Sequence, residues 1–159
     1  MLPDEKGYEL LQGHGIVKGR LIGGCVDVFP MIIGTEIWPD KAQWKDSILF
    51  VETAEEYPSP NSLKYLIRGM AAQGLFDKIC GIICGKPKDE KYYNDYKDVL
   101  LRVVGKEAGR YVLPILYNMN FGHTAPICIL PYGIMAEINC SNKSFGLIEA
   151  VTCQSTTVA

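Results

Sequence analysis

The sequence predicts an α/β domain whose sheet is mixed or partly closed into a barrel, with helices flanking it. Continuous apolar runs typical of buried strands recur at residues 47–53, 78–86 and 111–118. Amphipathic segments with helical spacing lie between these runs. Two short apolar segments at residues 126–140 and 144–151 end the chain in the style of hairpin strands. Helices that alternate with buried strands are typical of the α/β class.

The amino-terminal third of the chain is rich in glycine and predicts short elements. Residues 15–24 (GIVKGRLIGG) alternate enough to predict a strand or hairpin. Residues 25–35 predict a short helix with Asp27 as its N-cap and Gly34 at its end. Residues 36–46 carry both tryptophans and are expected to form a polar loop.

Two longer helices are predicted between the buried strands. The first covers residues 57–74, with Ser59 as the N-cap, Pro60 in the first turn and Gly74 at the end. Its leucine, isoleucine and methionine residues repeat at helical spacing, which indicates a face packed on the core. The second covers residues 89–109 and is also amphipathic.

Composition excludes several classes of protein. With 159 residues, 48% of them apolar and 21% charged, the chain fits one globular domain. A net charge of −2 without long charged runs argues against a nucleic-acid partner. The apolar runs are too short for a membrane span.

Metal and cofactor sites are not expected. The six cysteines form no CxxC pair and only two histidines are present, which argues against zinc. The glycine pattern at residues 13–19 lacks the strand-then-helix context of a dinucleotide site. We therefore expect reduced thiols in a cytoplasmic protein that has no cofactor.

Two ionisable residues follow apolar strands and suggest catalysis. Glu52 ends the first buried run, and His123 follows the third, next to Gly122. The carboxyl ends of parallel strands line ligand clefts in α/β folds, so we expect the two side chains to meet. A carboxylate that holds a histidine is the orienting part of a nucleophilic triad. Glu55 and Glu56 are close enough in sequence to compete for the carboxylate role.

The residues alone supply only half of such a site. No serine or cysteine lies in a G-x-S-x-G elbow or a comparable strand-to-helix turn. His123 also fits a structural role as a hydrogen-bonded histidine, and His14 between two glycines fits a turn. The nucleophile is thus missing from the pattern.

Four segments in a fixed order resemble a known family. They read GRLIGGCVDVFPMIIGT, ILFVETAEEYPSP, GIICGKP and NMNFGHTAPICILPYGIMAEI. Together they resemble the LD-carboxypeptidase family of serine peptidases, in particular its branch of microcin C immunity proteins. The resemblance extends from about residue 10 to residue 140, which is most of the chain.

The resemblance implies a two-domain, metal-free serine hydrolase. In that family an amino-terminal domain carries the serine and a carboxyl-terminal domain supplies a glutamate and a histidine, which match Glu52 and His123. Residues 1–159 would then form a single carboxyl-terminal domain, inactive alone because the serine-bearing domain is absent from this chain. The implied partners are that domain and a peptide or peptidyl-nucleotide substrate, and a homodimer stays open.

Two alternatives remain at the level of sequence. A glutaminase with a Cys-His-Glu site requires a glutamate two residues after the histidine, but Thr124 and Ala125 follow His123. A non-catalytic binding or assembly module that retains the fold also fits the residues.

Overall fold

The central feature of the molecule is one seven-stranded mixed sheet. A computed structural model describes residues 7–152 of the chain. The strands are β1 (Glu9–Gln12), β2 (Ile16–Cys25), β3 (Ile48–Glu52), β4 (Gly81–Gly85), β5 (Ile115–Met119), β6 (Met135–Asn139) and β7 (Ser144–Leu147). Their order across the sheet is β1-β5-β4-β3-β2-β6-β7.

The four inner strands β5, β4, β3 and β2 run parallel to one another, and the outer strands pair antiparallel. The sheet curls into a half-barrel with helices beside it, which confirms the predicted fold class. Strands β3, β4 and β5 read as largely continuous apolar runs because both faces of the sheet are covered there. None of the helices found between residues 7 and 152 has the length and apolar character needed to cross a membrane.

Within residues 7–152, four α-helices accompany the sheet: α1 (Phe29–Ile32), α2 (Lys41–Trp44), α3 (Pro60–Ala72) and α4 (Tyr93–Leu100). The α3 prediction is confirmed in detail. The Ser59 side chain caps it by accepting from the Ser62 amide, and Gly74 follows its end with φ +69°. Buried residues of α3 and α4 form a core with one face of the sheet.

The helix predicted over residues 89–109 is wrong at its start and in its form. A 3₁₀ turn at Lys88–Glu90 precedes it, and α4 begins only at Tyr93 because Tyr92 has φ +58°. After α4, the chain continues as a π-helix over Leu101–Glu107. The apolar periodicity correctly predicted a helix here, but it could not predict the wider turns.

Other local predictions also need correction. Asp27 does not cap a helix, because α1 begins after Val28 without any side-chain cap. The predicted loop at residues 36–46 contains α2, which Asp40 caps through a capping box. The strand predicted over residues 111–118 begins only at Ile115. The edge strand β1 was not predicted, because four residues give too short a pattern.

Candidate functional site

Glu52 is the last residue of β3 and projects from the face of the sheet that lies opposite the helices. Side chains alternate along a strand, so Glu52 shares its face with Ile48 and Phe50. Leu49 and Val51 point the other way, into the core under the helices. The Glu52 side chain is 14% exposed. Strand β3 thus places one nearly buried carboxylate at the carboxyl edge of the parallel strands.

His123 reaches this carboxylate by crossing over the end of a strand. It lies in the loop after β5, and β4 separates β5 from β3. At the end of β4 stands Gly85, where a β-carbon would lie 2.5 Å from the carbonyl oxygen of Phe121. The absence of a side chain at Gly85 therefore lets the loop pass directly over β4 toward Glu52.

Gly122 makes the second close approach in this loop. Its φ is +99°, a conformation that residues with a β-carbon rarely adopt. A β-carbon at this position would lie 2.7 Å from Oε2 of Glu52. Both the backbone conformation and the available space therefore require glycine here, as the neighbour of His123 in sequence.

The two side chains meet in a hydrogen bond. Nδ1 of His123 lies 2.7 Å from Oε2 of Glu52, which confirms the predicted contact. With an ionised carboxylate as the acceptor, Nδ1 is the donor of this hydrogen bond, and Nε2 is the ring nitrogen that the bond does not use. The His123 side chain is 39% exposed, so the ring lies at the surface of the described residues.

The surroundings of His123 favour its charged form. The hydrogen bond to Glu52 is the main cause that raises the pKa of the imidazole above its usual value. The negative charges of Glu52 and Glu55 and the backbone of Thr53 act in the same direction, whereas partial burial opposes them. The site can thus stabilise an imidazolium.

The two competing glutamates do not take the place of Glu52 at the imidazole. Glu55 is exposed and forms an ion pair with Lys88, with 3.7 Å between Nζ and Oε2. Glu56 is also exposed. Glu52 is the carboxylate that reaches His123, and its catalytic role remains a prediction.

The loop after Glu52 is tied to its neighbours by contacts that the sequence did not reveal. The Tyr96 hydroxyl of α4 donates to the carbonyl of Pro58 at 2.5 Å. The Tyr57 hydroxyl bonds to Asp89 in the loop after β4, and Lys91 Nζ lies 4.5 Å from the centre of the Tyr57 ring. The loops after β3 and β4 are therefore joined beside the site.

Three thiols near the sheet, those of Cys25, Cys80 and Cys84, are poor candidates for a nucleophile. Burial raises the pKa of Cys25, which lies beside Glu52 on the neighbouring strand, and charges of Glu52 and Asp27 add to this. Burial also raises the pKa of Cys80 to about 11 and that of Cys84 still further. A protonated thiol is a weak nucleophile. Cys153 lies outside the described residues.

Metal ligands do not cluster in the described part of the chain. Between residues 7 and 152, no group of three or more histidine, cysteine, aspartate or glutamate residues could hold a metal ion.

The loop that carries His123 also presents apolar side chains to the surface. Ile127, Ile129 and Tyr132 have exposed fractions of 65%, 87% and 61%. The loop that carries His123 therefore exposes several large apolar side chains.

Known proteins are similar to this chain in sequence and fold. The sequence model of the LD-carboxypeptidase C-terminal domain matches residues 18–138. The microcin C7 self-immunity protein MccF of Escherichia coli is 30% identical over 146 residues, which cover 86% of this chain and 38% of that protein. An MccF-like protein from Streptococcus pneumoniae, crystallised in complex with AMP, has a TM-score of 0.79 and 32% identity.

The matched region is a minor part of these relatives. The Streptococcus pneumoniae match covers 89% of this chain and 44% of that one. A structure of MccF in complex with glutamyl sulfamoyl guanosine matches with a TM-score of 0.72 and 25% identity, over 94% of this chain and 44% of that one. The chain thus spans less than half the length of the relatives it matches.

Proposed function

The chain belongs to the LD-carboxypeptidase family, whose carboxyl-terminal domain it matches, and we propose that it supplies two members of a Ser-Glu-His triad. In this proposal His123 is the general base and Glu52 is the carboxylate that orients it. The nucleophilic serine lies in an amino-terminal domain outside this chain. The 2.7 Å contact between Nδ1 of His123 and Oε2 of Glu52 carries the proposal.

The proposed reaction is hydrolysis through an acyl-enzyme. The serine oxygen attacks the carbonyl carbon of the substrate while Nε2 of His123 takes the hydroxyl proton. The tetrahedral intermediate then collapses, and the imidazolium returns that proton to the leaving nitrogen. Water, activated by the same imidazole, releases the acyl group. Glu52 stays ionised throughout and stabilises the imidazolium.

A second observation supports an amino-terminal partner domain. The apolar side chains of Ile127, Ile129 and Tyr132 are exposed in the same loop as His123. A patch of this kind next to a catalytic base fits a surface that another domain covers. The relatives are more than twice as long as the matched region, which provides the chain length for such a domain.

The proposed substrate class is supported by the family and by the ligands bound to its relatives. MccF has been crystallised with glutamyl sulfamoyl guanosine and its Streptococcus pneumoniae relative with AMP. We propose that the complete protein cleaves an amide bond in a peptidyl-nucleotide, or the LD bond of a murein peptide. We also propose a cytoplasmic location, because Cys25, Cys80, Cys84, Cys128 and Cys140 are all free thiols.

The test joins this chain to a serine-bearing amino-terminal domain of the family. The joined protein is incubated with a peptidyl-nucleotide whose acyl group is held by an amide bond and, separately, with a murein tetrapeptide. Turnover of one of these substrates is expected, and His123→Ala should remove nearly all of it. The chain alone should show none.

Three results would contradict the proposal. Turnover by the purified chain alone would mean that the nucleophile lies within it. A joined protein that keeps its rate after His123→Ala would exclude His123 as the base. A folded joined protein with no turnover on either substrate would favour a binding or assembly module.

A further inference from the structure

We infer that Asp27 is a positioning residue for Glu52, which it holds in place through a hydrogen bond to the chain that follows β3. This inference rests on the proposed roles of Glu52 and His123. The sequence indicated Asp27 as a helix cap, but the structure gives it a different partner. Oδ2 of Asp27 accepts a hydrogen bond from the backbone amide of Ala54 at 2.8 Å.

The ladder between β2 and β3 ends at Glu52. Cys25 and Glu52 are the last paired residues, and the amide of Val26 donates to the carbonyl of Glu52 at 2.9 Å. The segment that follows β2 then turns away from β3. Its carbonyls at Cys25 and Val26 accept hydrogen bonds from the amides of Val28 and Phe29 instead. The backbone therefore stops extending the ladder one step after Glu52.

The Asp27 side chain extends the pairing beyond that end. Its carboxylate takes the place of a main-chain carbonyl opposite Ala54. A hydrogen bond from an amide to an ionised carboxylate is stronger than one between neutral groups. The carbonyl of Glu52 is thus held by Val26, and the chain two residues later is held by Asp27, so both bonds restrain the backbone that follows the Glu52 side chain.

The site leaves little space for Glu52 to move. A β-carbon at Gly122 would lie 2.7 Å from Oε2 of Glu52, and one at Gly85 would lie 3.0 Å from its Cβ. Backbone therefore surrounds the carboxylate on the side of the His123 loop. If the end of β3 shifts, the carboxylate loses its 2.7 Å contact with the imidazole. Asp27 restrains this end of the strand.

Helix capping does not explain the orientation of the Asp27 carboxylate. The helix α1 starts after Val28 without a side-chain cap. Asp27 is half-buried, and besides Ala54 its Oδ2 lies 3.9 Å from Sγ of Cys25. The carboxylate thus points toward the chain that follows Glu52 and away from the amino end of its own helix.

Two substitutions separate the hydrogen bond from the charge. Asp27→Asn removes the charge but keeps an oxygen that can accept from Ala54, whereas Asp27→Ala removes both. The pKa of His123 is measured by NMR in the 159-residue chain, with Glu52→Gln as the reference for a lost contact. We expect Asp27→Ala to lower the His123 pKa most of the way to that reference and Asp27→Asn to stay near the unsubstituted value.

Other results would overturn the inference. An unchanged His123 pKa in Asp27→Ala would mean that Glu52 needs no such restraint. Equal lowering in both variants would assign the effect to the charge. If Asp27→Ala does not fold, hydrogen exchange of the Ala54 amide in the unsubstituted chain decides: protection is expected, and exchange at the rate of an unstructured amide contradicts the inference.

These measurements do not depend on catalysis. A catalytic role for Glu52 and His123 is tested by activity of the joined protein, whereas the role of Asp27 is tested by the ring titration and amide exchange. The joined protein adds one further readout: kcat should fall in Asp27→Ala and recover in Asp27→Asn. Failure of the one proposal is therefore distinguishable from failure of the other.

Discussion

A β-carbon at Gly122 would lie 2.7 Å from Oε2 of Glu52, the same oxygen that binds Nδ1 of His123. The glycine and the histidine are neighbours in sequence, whereas the glutamate is 71 positions away. The contact thus depends on a backbone that passes the carboxylate without a side chain, and the residue before the histidine is as important for the geometry as the histidine itself.

Gly122→Ala should therefore disrupt the pair. The positive φ alone should lower the free energy of unfolding by about 1–2 kcal/mol, and the clash should displace the Glu52 carboxylate. The control is Gly133→Ala, which has φ +77° but no atom within 4 Å of the added β-carbon. Both variants should lose stability in urea, but only Gly122→Ala should lower the His123 pKa. Equal pKa values in the two variants would contradict this.

Glu52→Gln should lower the pKa of His123. The carboxylate favours the imidazolium through its hydrogen bond and its charge, and the amide provides neither to the same degree. NMR titration of the ring protons measures the value, and because only two histidines are present, His14→Gln assigns the signals. A His123 pKa that is the same with glutamate and with glutamine would show that the pair does not form in solution.

The same pair should make stability depend on pH. The folded pKa of His123 is raised above the unfolded value of about 6.5. Its contribution to the free energy of unfolding is therefore full below about pH 6.5 and is lost as pH rises through the folded pKa. The ring is 39% exposed, so the effect should be about 1 kcal/mol or less.

Urea unfolding of the unsubstituted chain and of Glu52→Gln, at about pH 5.5 and about pH 8.5, isolates this contribution. The difference between the two proteins should be larger at the lower pH. A difference that grows at the higher pH would reverse the sign and contradict the assignment.

Gly85→Ala tests the crossing of the His123 loop over β4. The added carbon would lie 2.5 Å from the carbonyl oxygen of Phe121, which is backbone and cannot rotate away. Overpacking of this kind should lower the free energy of unfolding by about 1–3 kcal/mol and shift the His123 ring signals. Gly146→Ala in β7 is the control, because nothing lies within 4 Å of its added carbon. Unchanged ring signals in a folded Gly85→Ala protein would argue against the crossing.

In the joined, serine-bearing protein, substitution of Glu52 should reduce kcat far more than substitution of Glu55 or Glu56. Loss of the orienting carboxylate in Glu52→Gln should reduce kcat by up to about 10⁴-fold. Glu55→Gln and Glu56→Gln should keep most activity, since Glu55 pairs with Lys88 and Glu56 is exposed. Steady-state kinetics on the same substrate provide the comparison. A large loss in Glu55→Gln with little effect of Glu52→Gln would move the role to the other carboxylate.

The sequence by itself determined the elements that local patterns encode. Apolar runs predicted β3, β4 and most of β5, and capping residues predicted α3 from Ser59 to Gly74. Placing Glu52 and His123 after parallel strands also predicted their meeting. These features depend on periodicity, capping and strand ends, which neighbouring residues in the chain decide.

Only the tertiary structure decided how these parts combine. The order β5-β4-β3 puts one strand between Glu52 and the His123 loop, so the contact requires Gly85 beneath the loop and Gly122 beside the carboxylate. Asp27 accepts a hydrogen bond from the amide of Ala54, 27 positions away, although its local sequence resembled a helix cap. Strand order and loop crossings come from packing between distant segments, and a pattern read along the chain does not contain those contacts.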